Sequence, residues 1–388
     1  MAVPKLRFKE FDGDWSNKKI GNIASKVGSG STPRGGAEAY TDHGIIFIRS
    51  QNVNNDQLLL DDVAYIPEET HVKMSGSKVI ANDILLNITG ASIGRSCVVP
   101  HDFTEANVNQ HVCIIRTPND DPIFVQSFLS SENGQNAIQS KQAGGGREGL
   151  NFQAIRSIDF HFPPSEKEQT KIASFLSAVD EKISQLTQKH QLLSQYKQGM
   201  MQKLFSQQVR FKADDGSEFR EWEDKKLGDI CSHFQSGKTI TSATISDNGA
   251  YPVFGGNGLR GFTDTYTHDG IFALIGRQGA LCGNINLVQG ENFISEHAIA
   301  VQANQESSTQ WLAMWLDFMQ LNRFSESSAQ AGLAVNKLVK FDIKVPCLEE
   351  QTKIANFLSA IDQKIEVVAQ QIEQAKTWKK GLLQQMFV

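Results

Sequence analysis

Glycine-rich segments are the first places in this 388-residue chain where chemistry could occur. Residues 256–261 match the pattern GxGxxG, and residues 254–258 also fit the FxGxG pattern of methyltransferase cofactor loops. A dinucleotide-binding loop opens a helix, but no helical pattern follows Gly261. Residues 237–239 (Gly-Lys-Thr) resemble the end of a phosphate-binding loop, yet Ser232 stands where that loop requires glycine. These segments give weak support for a nucleotide or S-adenosylmethionine site.

Metal and nucleophile patterns are also missing from the sequence. The five cysteines are scattered, no CxxC pair or HExxH motif occurs, and no zinc ribbon is expected. Neither a metal site nor a catalytic group is predicted. An odd number of scattered thiols fits a reducing cytosol, so we expect a cytoplasmic protein. The N-terminus has no signal-peptide pattern, and no run of ~18 apolar residues predicts a membrane span.

One long segment occurs twice in the chain. Residues 168–183 read EQTKIASFLSAVDEKI, and residues 350–365, 182 positions later, read EQTKIANFLSAIDQKI. Fainter echoes precede both copies, such as WSNKKIGNI at 15–23 and WEDKKLGDI at 222–230. A repeat of this kind predicts one unit used twice. The predicted order is a module at 1–163, a long helix at 164–209, a second module at 210–346 and a second long helix at 347–388.

The repeated segments carry the heptad pattern of a coiled coil. Apolar residues recur at alternating steps of four and three for about five heptads, without proline. Lys197 and Lys379 occupy equivalent seam positions, where a polar residue fixes register or extends outward to solvent. Matching seams predict that the two helices pack against each other, and an antiparallel packing would be pseudo-twofold. The apolar seam comprises Ile172, Leu176, Val179, Ile183, Leu186 and Leu193, and Ile354, Leu358, Ile361, Ile365, Val368 and Ile372.

Aromatic residues form a flanking stripe at equivalent positions of both predicted helices. They are Phe175 and Tyr196 in the first copy, and Phe357 and Trp378 in the second. Two interpretations remain open. The rings either pack against the adjacent module, or they dock a partner subunit.

The modules mix short β-strands with helices and glycine-rich loops, which indicates small α/β domains whose loops carry recognition. The predicted fold class is therefore α+β, with two small α/β domains joined by two long antiparallel coiled-coil helices. Predicted strands lie at 45–48, 84–88, 112–116, 271–275 and 298–301, and predicted helices at 123–130 and 310–321.

Taken together, these features resemble the specificity subunit of type I restriction-modification enzymes. The resemblance covers essentially the whole chain. It is carried by the two EQTKIA helices, by their Leu204-Phe205 and Met386-Phe387 endings, and by the WxxKK openings of both halves. The segment HDGIFALIGRQGALCGNI at 268–285 also contributes.

The resemblance implies a non-catalytic, DNA-binding subunit for host defence and DNA modification. Each module would be a target recognition domain that reads one half of a bipartite, asymmetric site in double-stranded DNA. The helices would set the spacer and dock two methylation subunits. The chain itself would carry no cofactor: S-adenosylmethionine would bind to the methylation subunits, and ATP and Mg²⁺ to the restriction subunits that join them. No membrane partner is implied.

Candidate base-reading residues follow from side-chain chemistry. Arginine and lysine suit guanine, and asparagine and glutamine suit adenine. Loop residues of these types are the candidates, although each could equally be a solvated or turn residue. Those in the first module are Arg34, Arg49, Gln51, Asn52, Arg95 and Arg147, and those in the second are Asn257, Arg260, Arg277, Gln278 and Lys337.

The net charge of −5 sharpens this expectation. Both modules hold more acidic than basic residues, so any DNA-binding face must be segregated, and phosphate neutralisation dominates DNA affinity. We therefore expect weak DNA binding by the isolated chain, with the methylation subunits supplying positive surface. Two alternatives are an autonomous DNA methyltransferase, based on residues 254–258, and a coiled-coil scaffold without a DNA role.

Overall fold

The computed structural model describes residues 3–142, 149–279, 281–325 and 332–387. The chain divides into two compact units, and each long helix contributes to both of them. Unit 1 comprises Met1–Thr187 and Gln370–Val388, and unit 2 comprises Gln188–Ala369. Among the described helices, none combines the length and apolar character needed to cross a membrane.

Unit 1 is built on small sheets packed against helices. Strands β2, β11, β8 and β9 form an antiparallel sheet in that order, and β6, β3, β10 and β7 form a mixed sheet. The bounds are β1 Ser16–Lys19, β2 Lys26–Ser29, β3 Ile45–Ile48, β4 Val53–Asn54, β5 Gln57–Leu58, β6 Ala64–Ile66, β7 Lys78–Val79, β8 Ile84–Asn87, β9 Ser96–Val98, β10 Ala106–Val108, β11 Val112–Arg116 and β12 Asp159–Phe162; α1 Ile20–Ile23, α2 Glu68–Lys73, α3 Pro122–Ser130, α4 Glu132–Ser140 and α5 Phe152–Arg156.

Unit 2 repeats the central part of this plan. Its sheet β14, β20, β17, β18 corresponds to β2, β11, β8, β9, and the pair β13 and β21 corresponds to β1 and β12. The bounds are β13 Glu223–Lys226, β14 Cys231–Ser236, β15 Tyr251–Gly255, β16 Gly258–Thr263, β17 Ile271–Gly276, β18 Ile285–Gln289, β19 Phe293–Ile294, β20 Ala298–Ala303 and β21 Asp342–Val345; α7 Thr309–Phe318 and α8 Val335–Leu338.

The predicted strands and helices are confirmed, with small differences at their ends. Strands β3 and β11 have the predicted bounds, and β17 and β20 extend slightly further. The helix predicted at 310–321 ends earlier, at Phe318, because Gln320 adopts the left-handed conformation at φ 47°. Residues 256–261 lie in the antiparallel hairpin of β15 and β16, so no helix follows the GxGxxG pattern.

The two long helices are α6 (Glu166–Phe205) and α9 (Leu348–Met386). In unit 1 the start of α6 shares a hydrophobic core with the end of α9, through Leu176 and Leu382. In unit 2 the end of α6 shares a core with the start of α9, through Leu204 and Leu358. Within each unit the pairing is therefore antiparallel. All the predicted seam residues are buried or partly buried.

The seam lysines form ion pairs across the helix pair. In unit 1, Lys379 Nζ lies 2.7 Å from Asp180 and 2.8 Å from Asp56, the latter on the turn between β4 and β5. Burial lowers the pKa of Lys379, but the two carboxylates outweigh it and the net pKa is raised. In unit 2, Lys197 Nζ lies 2.6 Å from Asp362. A charged pair within an apolar seam favours one register, which is one of the two roles predicted for these positions.

The repeated Glu-Gln dipeptide at the start of each long helix holds the module to the helix. The guanidinium of Arg7 donates to both carboxylate oxygens of the buried Glu168, at 2.7 and 2.8 Å, and these bonds raise the pKa of Arg7. The indole of Trp15 donates to the same carboxylate at 3.3 Å. The next residue, Gln169, accepts a hydrogen bond from the backbone of Asp121, the N-cap of α3.

Unit 2 contains the same arrangement. Arg210 and Trp222 donate to the buried Glu350, and the bonds of Arg210 to this carboxylate raise its pKa. Gln351 accepts from the backbone of Ser308, the N-cap of α7. We call this arrangement of Arg, Trp and the Glu-Gln dipeptide the clamp. Because each unit needs one clamp, the dipeptide and the Arg…Trp segment both recur in the second half of the chain, 182 or more residues later.

Candidate nucleic-acid interface

In unit 1, polar loops leave the sheet side by side at the end of a parallel strand pair. Strands β3 and β10 are parallel, with Ile48 opposite Val108. The backbone of Asn109 donates to Ile48 at 3.1 Å. The segments that follow, 49–51 and 109–111, are therefore neighbours, although 60 positions separate them in sequence.

Further loops join this point through backbone hydrogen bonds. Ile88 donates to His111 at 3.0 Å and accepts from Leu150 at 2.9 Å. The side chain of Asn87 donates to the carbonyl of Ser50 at 2.8 Å. A Cβ on Gly30 would lie 1.7 Å from the carbonyl oxygen of Val108, so only glycine allows this loop so close.

Unit 2 builds the same frame from the corresponding residues. Ser295 donates to Phe254 at 2.8 Å, because β19 and β15 are also parallel. The backbone N–H of Arg277 donates to the carbonyl of His297 at 3.0 Å, and the carbonyl of Arg277 accepts from the backbone N–H of Leu333 at 3.0 Å. A Cβ on Gly237 would lie 2.3 Å from the carbonyl of Ile294.

We call this set of loops the loop site. Each unit has one, and the two sites have equivalent backbone connections but differ in part of their side chains, for example Gln110 against Glu296. The loops are 29–32, 49–51, 88–90, 109–111 and 149–150 in unit 1, and 236–239, 255–257, 277–279, 295–297 and 332–333 in unit 2.

About half of the base-reading candidates lie within the loop sites. Arg49 and Gln51 belong to the site of unit 1, and Asn257, Arg277 and Gln278 to that of unit 2. Arg260 lies on β16, next to the loop site. Its side chain passes close to Gly255 of the site, because a Cβ on Gly255 would lie 2.8 Å from Cδ of Arg260. Of the remaining candidates, Arg34 between β2 and β3, Arg95 between β8 and β9 and Lys337 on α8 are exposed elsewhere, Asn52 is buried, and Arg147 is outside the described residues.

Arg49 and Gln51 converge on a single carboxylate. The Arg49 guanidinium lies 3.6 Å from Asp62, and Gln51 donates to the same side chain at 2.8 Å. Asp62 is itself highly exposed. Asp62 therefore orients both candidate side chains through one carboxylate.

Asn52 differs from its neighbours because it is buried. Its side-chain oxygen accepts from the backbone of Arg49 at 2.9 Å, and its amide donates to the carbonyls of Leu59 and Asp62. These bonds close the turn that carries Arg49 and Gln51. We therefore leave Asn52 out of the proposed DNA surface.

Sequence reasoning missed several polar residues of the loop sites. The sequence held a partial signal for them, because residues 109–111 resemble residues 295–297 in the repeat. Nothing in the sequence showed that these segments join the other loops. In unit 1 they form a chain of hydrogen bonds. The missed residues are Thr32, Thr89, Gln110 and His111 in unit 1, and Lys238, Glu296 and His297 in unit 2.

Candidate metal ligands and two of the cysteine thiols can be examined in the described part of the chain. There, no group of three histidine, cysteine or acidic side chains could hold a metal ion. Burial raises the pKa of the Cys113 and Cys231 thiols to about 12, so neither is a ready thiolate. What the loop sites offer is hydrogen bonding to a ligand.

The aromatic stripe serves more than one purpose. Phe175 packs edge-on against Phe8 at 5.8 Å, and Phe357 packs against Phe211 at 5.5 Å. These two rings therefore contact their own unit. Trp378 also meets Phe175 edge-on at 6.0 Å. Even so, Tyr196 and Trp378, at equivalent helix positions, are 52% and 53% exposed.

Comparison with known proteins identifies the family. Residues 12–195 and 220–377 match the model of the type I restriction modification DNA specificity domain, so both halves of the chain match separately. The chain belongs to this family. Each half of the chain thus corresponds to one DNA specificity domain.

Individual relatives agree with this assignment. The chain is 34% identical over 208 residues to the type I restriction enzyme EcoprrI specificity subunit of Escherichia coli, covering 52% of this chain and about half (51%) of that relative. It is 21% identical over 98% of its length to the putative MjaX specificity subunit of Methanocaldococcus jannaschii, of which 94% is covered.

A solved structure shows the same fold. The crystal structure of the type I restriction-modification S subunit from M. genitalium superposes with a TM-score of 0.67 at 18% identity. The superposition covers 100% of this chain and 99% of that one.

Proposed function

We propose that this chain is the DNA sequence-specificity subunit of a type I restriction-modification complex, and that each unit reads one half of a bipartite, asymmetric site. The observation that carries the proposal is the duplicated loop site, with equivalent backbone frames and partly different side chains. A shared frame places readout groups at equivalent positions against two duplex segments. Different side chains on that frame make the two half-sites different, since side chains read base edges.

The chain acts as a non-catalytic subunit. Residues 254–258, which motivate the autonomous methyltransferase alternative, form the end of β15 and its turn into β16. The chemistry then belongs to partners: S-adenosylmethionine on methylation subunits, and ATP with Mg²⁺ on restriction subunits. The acidic modules leave part of the phosphate neutralisation to these partners.

The exposed aromatic on each long helix is the proposed docking point for a methylation subunit. Tyr196 and Trp378 are each followed three residues later by a glycine, Gly199 and Gly381. A Cβ at either glycine would have no neighbouring atom of the described chain within 4 Å. A mid-helix glycine costs about 1 kcal/mol relative to alanine, so its recurrence supports close approach of an outside backbone. Equivalent docking points in two units suit two copies of one partner.

Exchanging one module tests the assignment of modules to half-sites. Residues 1–163 are replaced by those of another family member, which keeps β1 and β12 together because they pair with each other. We expect the half-site read by unit 1 to change while the other half-site and the spacer stay the same. Sequencing of methylated bases in the host gives the motif. A change in both half-sites would contradict the assignment.

A further inference from the structure

We propose that Gln110 of unit 1 and Glu296 of unit 2 are equivalent readout positions, with Gln110 reading adenine and Glu296 reading cytosine. The inference rests on the proposed function and assigns the base read at one position of each half-site. Both residues are the middle member of the same loop of the loop site, directly after a parallel strand.

The Gln110 amide is held in place by two neighbours from the loop site. Thr32 donates its hydroxyl hydrogen to Oε1 of Gln110 at 2.6 Å. Nε2 of Gln110 lies 3.0 Å from Nε2 of His111, and Nδ1 of His111 lies 2.6 Å from the Thr89 hydroxyl. These contacts fix the orientation of the amide. Because the Gln110 amide donates to Nε2 of His111, the imidazole hydrogen lies on Nδ1, from which it can be donated to the Thr89 hydroxyl.

The amide retains one donor and one acceptor after these bonds are made. Of the two Nε2 hydrogens, one faces His111 and the other bonds to no described residue, and Oε1 keeps a lone pair beside the Thr32 bond. Gln110 is exposed, so this pair of groups can reach a ligand. One donor and one acceptor on an amide match N7 and the N6 amino group of adenine in the major groove. The network therefore preorganises an adenine-reading amide.

Glu296 presents different chemistry at the equivalent position. Its Oε2 accepts from the backbone of Ile240 at 3.3 Å, and its Oε1 lies 3.6 Å from Nε2 of His297. The side chain is 30% exposed. A carboxylate only accepts, so it suits the N4 amino group of cytosine. Adenine is disfavoured because its N7 would face this acceptor without a hydrogen between them.

Exchanging the chemistry at position 110 tests the proposal in the intact complex. The host carries all subunits and expresses either the natural chain or Gln110→Glu, and methylated genomic DNA is sequenced. The natural chain is expected to require adenine at one position of the unit 1 half-site, other than the methylated base. In Gln110→Glu the base preferred at that position should shift from adenine toward cytosine. A bidentate contact discriminates by about 5- to 150-fold, so the adenine preference should fall by that factor. The other half-site and the spacer should not change.

A matched control makes the same chemical change away from the loop site. Gln57, on β5, is an exposed glutamine of the same unit, and Gln57→Glu should leave the motif unchanged. A motif that is identical in Gln110→Glu and the natural chain overturns the inference, as does an equal effect of both variants. Absence of any methylated motif with the natural chain would instead refute the proposed function.

A second variant covers loss of modification. If Gln110→Glu abolishes methylation, Gln110→Ala decides the matter, because it adds no charge near phosphate. Relaxation of the single adenine position in Gln110→Ala supports the inference. An unchanged motif in that variant overturns it.

Discussion

Replacing Glu350 by alanine is expected to lower the free energy of unfolding of unit 2 by about 3–5 kcal/mol, the usual cost of breaking a buried ion pair by removing one partner. Glu350 is fully buried and accepts hydrogen bonds from Arg210 at 3.2 and 3.0 Å. The indole of Trp222 donates to the same carboxylate at 3.1 Å. Removal leaves the buried indole N–H without this acceptor, and it leaves the guanidinium with only the exposed Glu221 and two backbone carbonyls.

Urea denaturation followed by tryptophan fluorescence measures this loss, since Trp222 lies at the clamp. Glu349→Ala is the matched control: it is the neighbouring glutamate on α9 but is exposed, and exposed substitutions usually change stability by less than about 0.5 kcal/mol. Glu168→Ala tests the equivalent clamp of unit 1. A loss below about 1 kcal/mol for Glu350→Ala would contradict the buried-pair cost assigned to this clamp.

Adding one heptad to both long helices is expected to lengthen the DNA spacer by about three base pairs. A heptad preserves the seam, and at ~1.5 Å per residue it adds about 10.5 Å, while base pairs are spaced ~3.4 Å apart along the duplex. The insertions follow Thr187 in α6 and Ala369 in α9, where the two units divide. Neither insertion alters a loop site, so both half-site sequences should be retained.

The methylated motif in cells that carry the lengthened chain measures the spacer. Replacing residues 184–190 by a different heptad of equal length is the control, and it should leave the spacer unchanged. If the lengthened chain still supports methylation but the spacer is unaltered, the helices do not set the spacer length. An insertion of four residues in each helix would break the heptad register and should prevent assembly.

Secondary structure and the internal repeat could be predicted from the sequence because their signals are local. The heptad pattern of α6 and α9 and the β-branched runs of β3 and β11 each depend on neighbouring residues. The predicted end of α7 was wrong because the left-handed turn at Gln320 is not evident from residue type. The literal GxGxxG was uninformative because glycines 258 and 261 serve a hairpin, both with positive φ.

The clamp and the loop sites required the structure because their partners are distant in sequence. Arg7 and Glu168 are 161 positions apart, and Thr32 and Gln110 are 78 apart. Residue type alone selected Arg49 and Gln51, which lie in a loop site, but it also selected the buried Asn52. Repetition between the halves was a better guide to the frame than side-chain chemistry. It does not indicate what Gln110 and Glu296 contact.

The methylated motif of the host genome is the most direct test of the specificity role. Single-molecule sequencing is applied to the host, to a strain lacking this chain, and to that strain with the chain restored. We predict a bipartite motif of two different half-sites around a fixed spacer, present in the first and third strains and absent from the second. A methylation pattern that is the same with and without the chain would contradict the account.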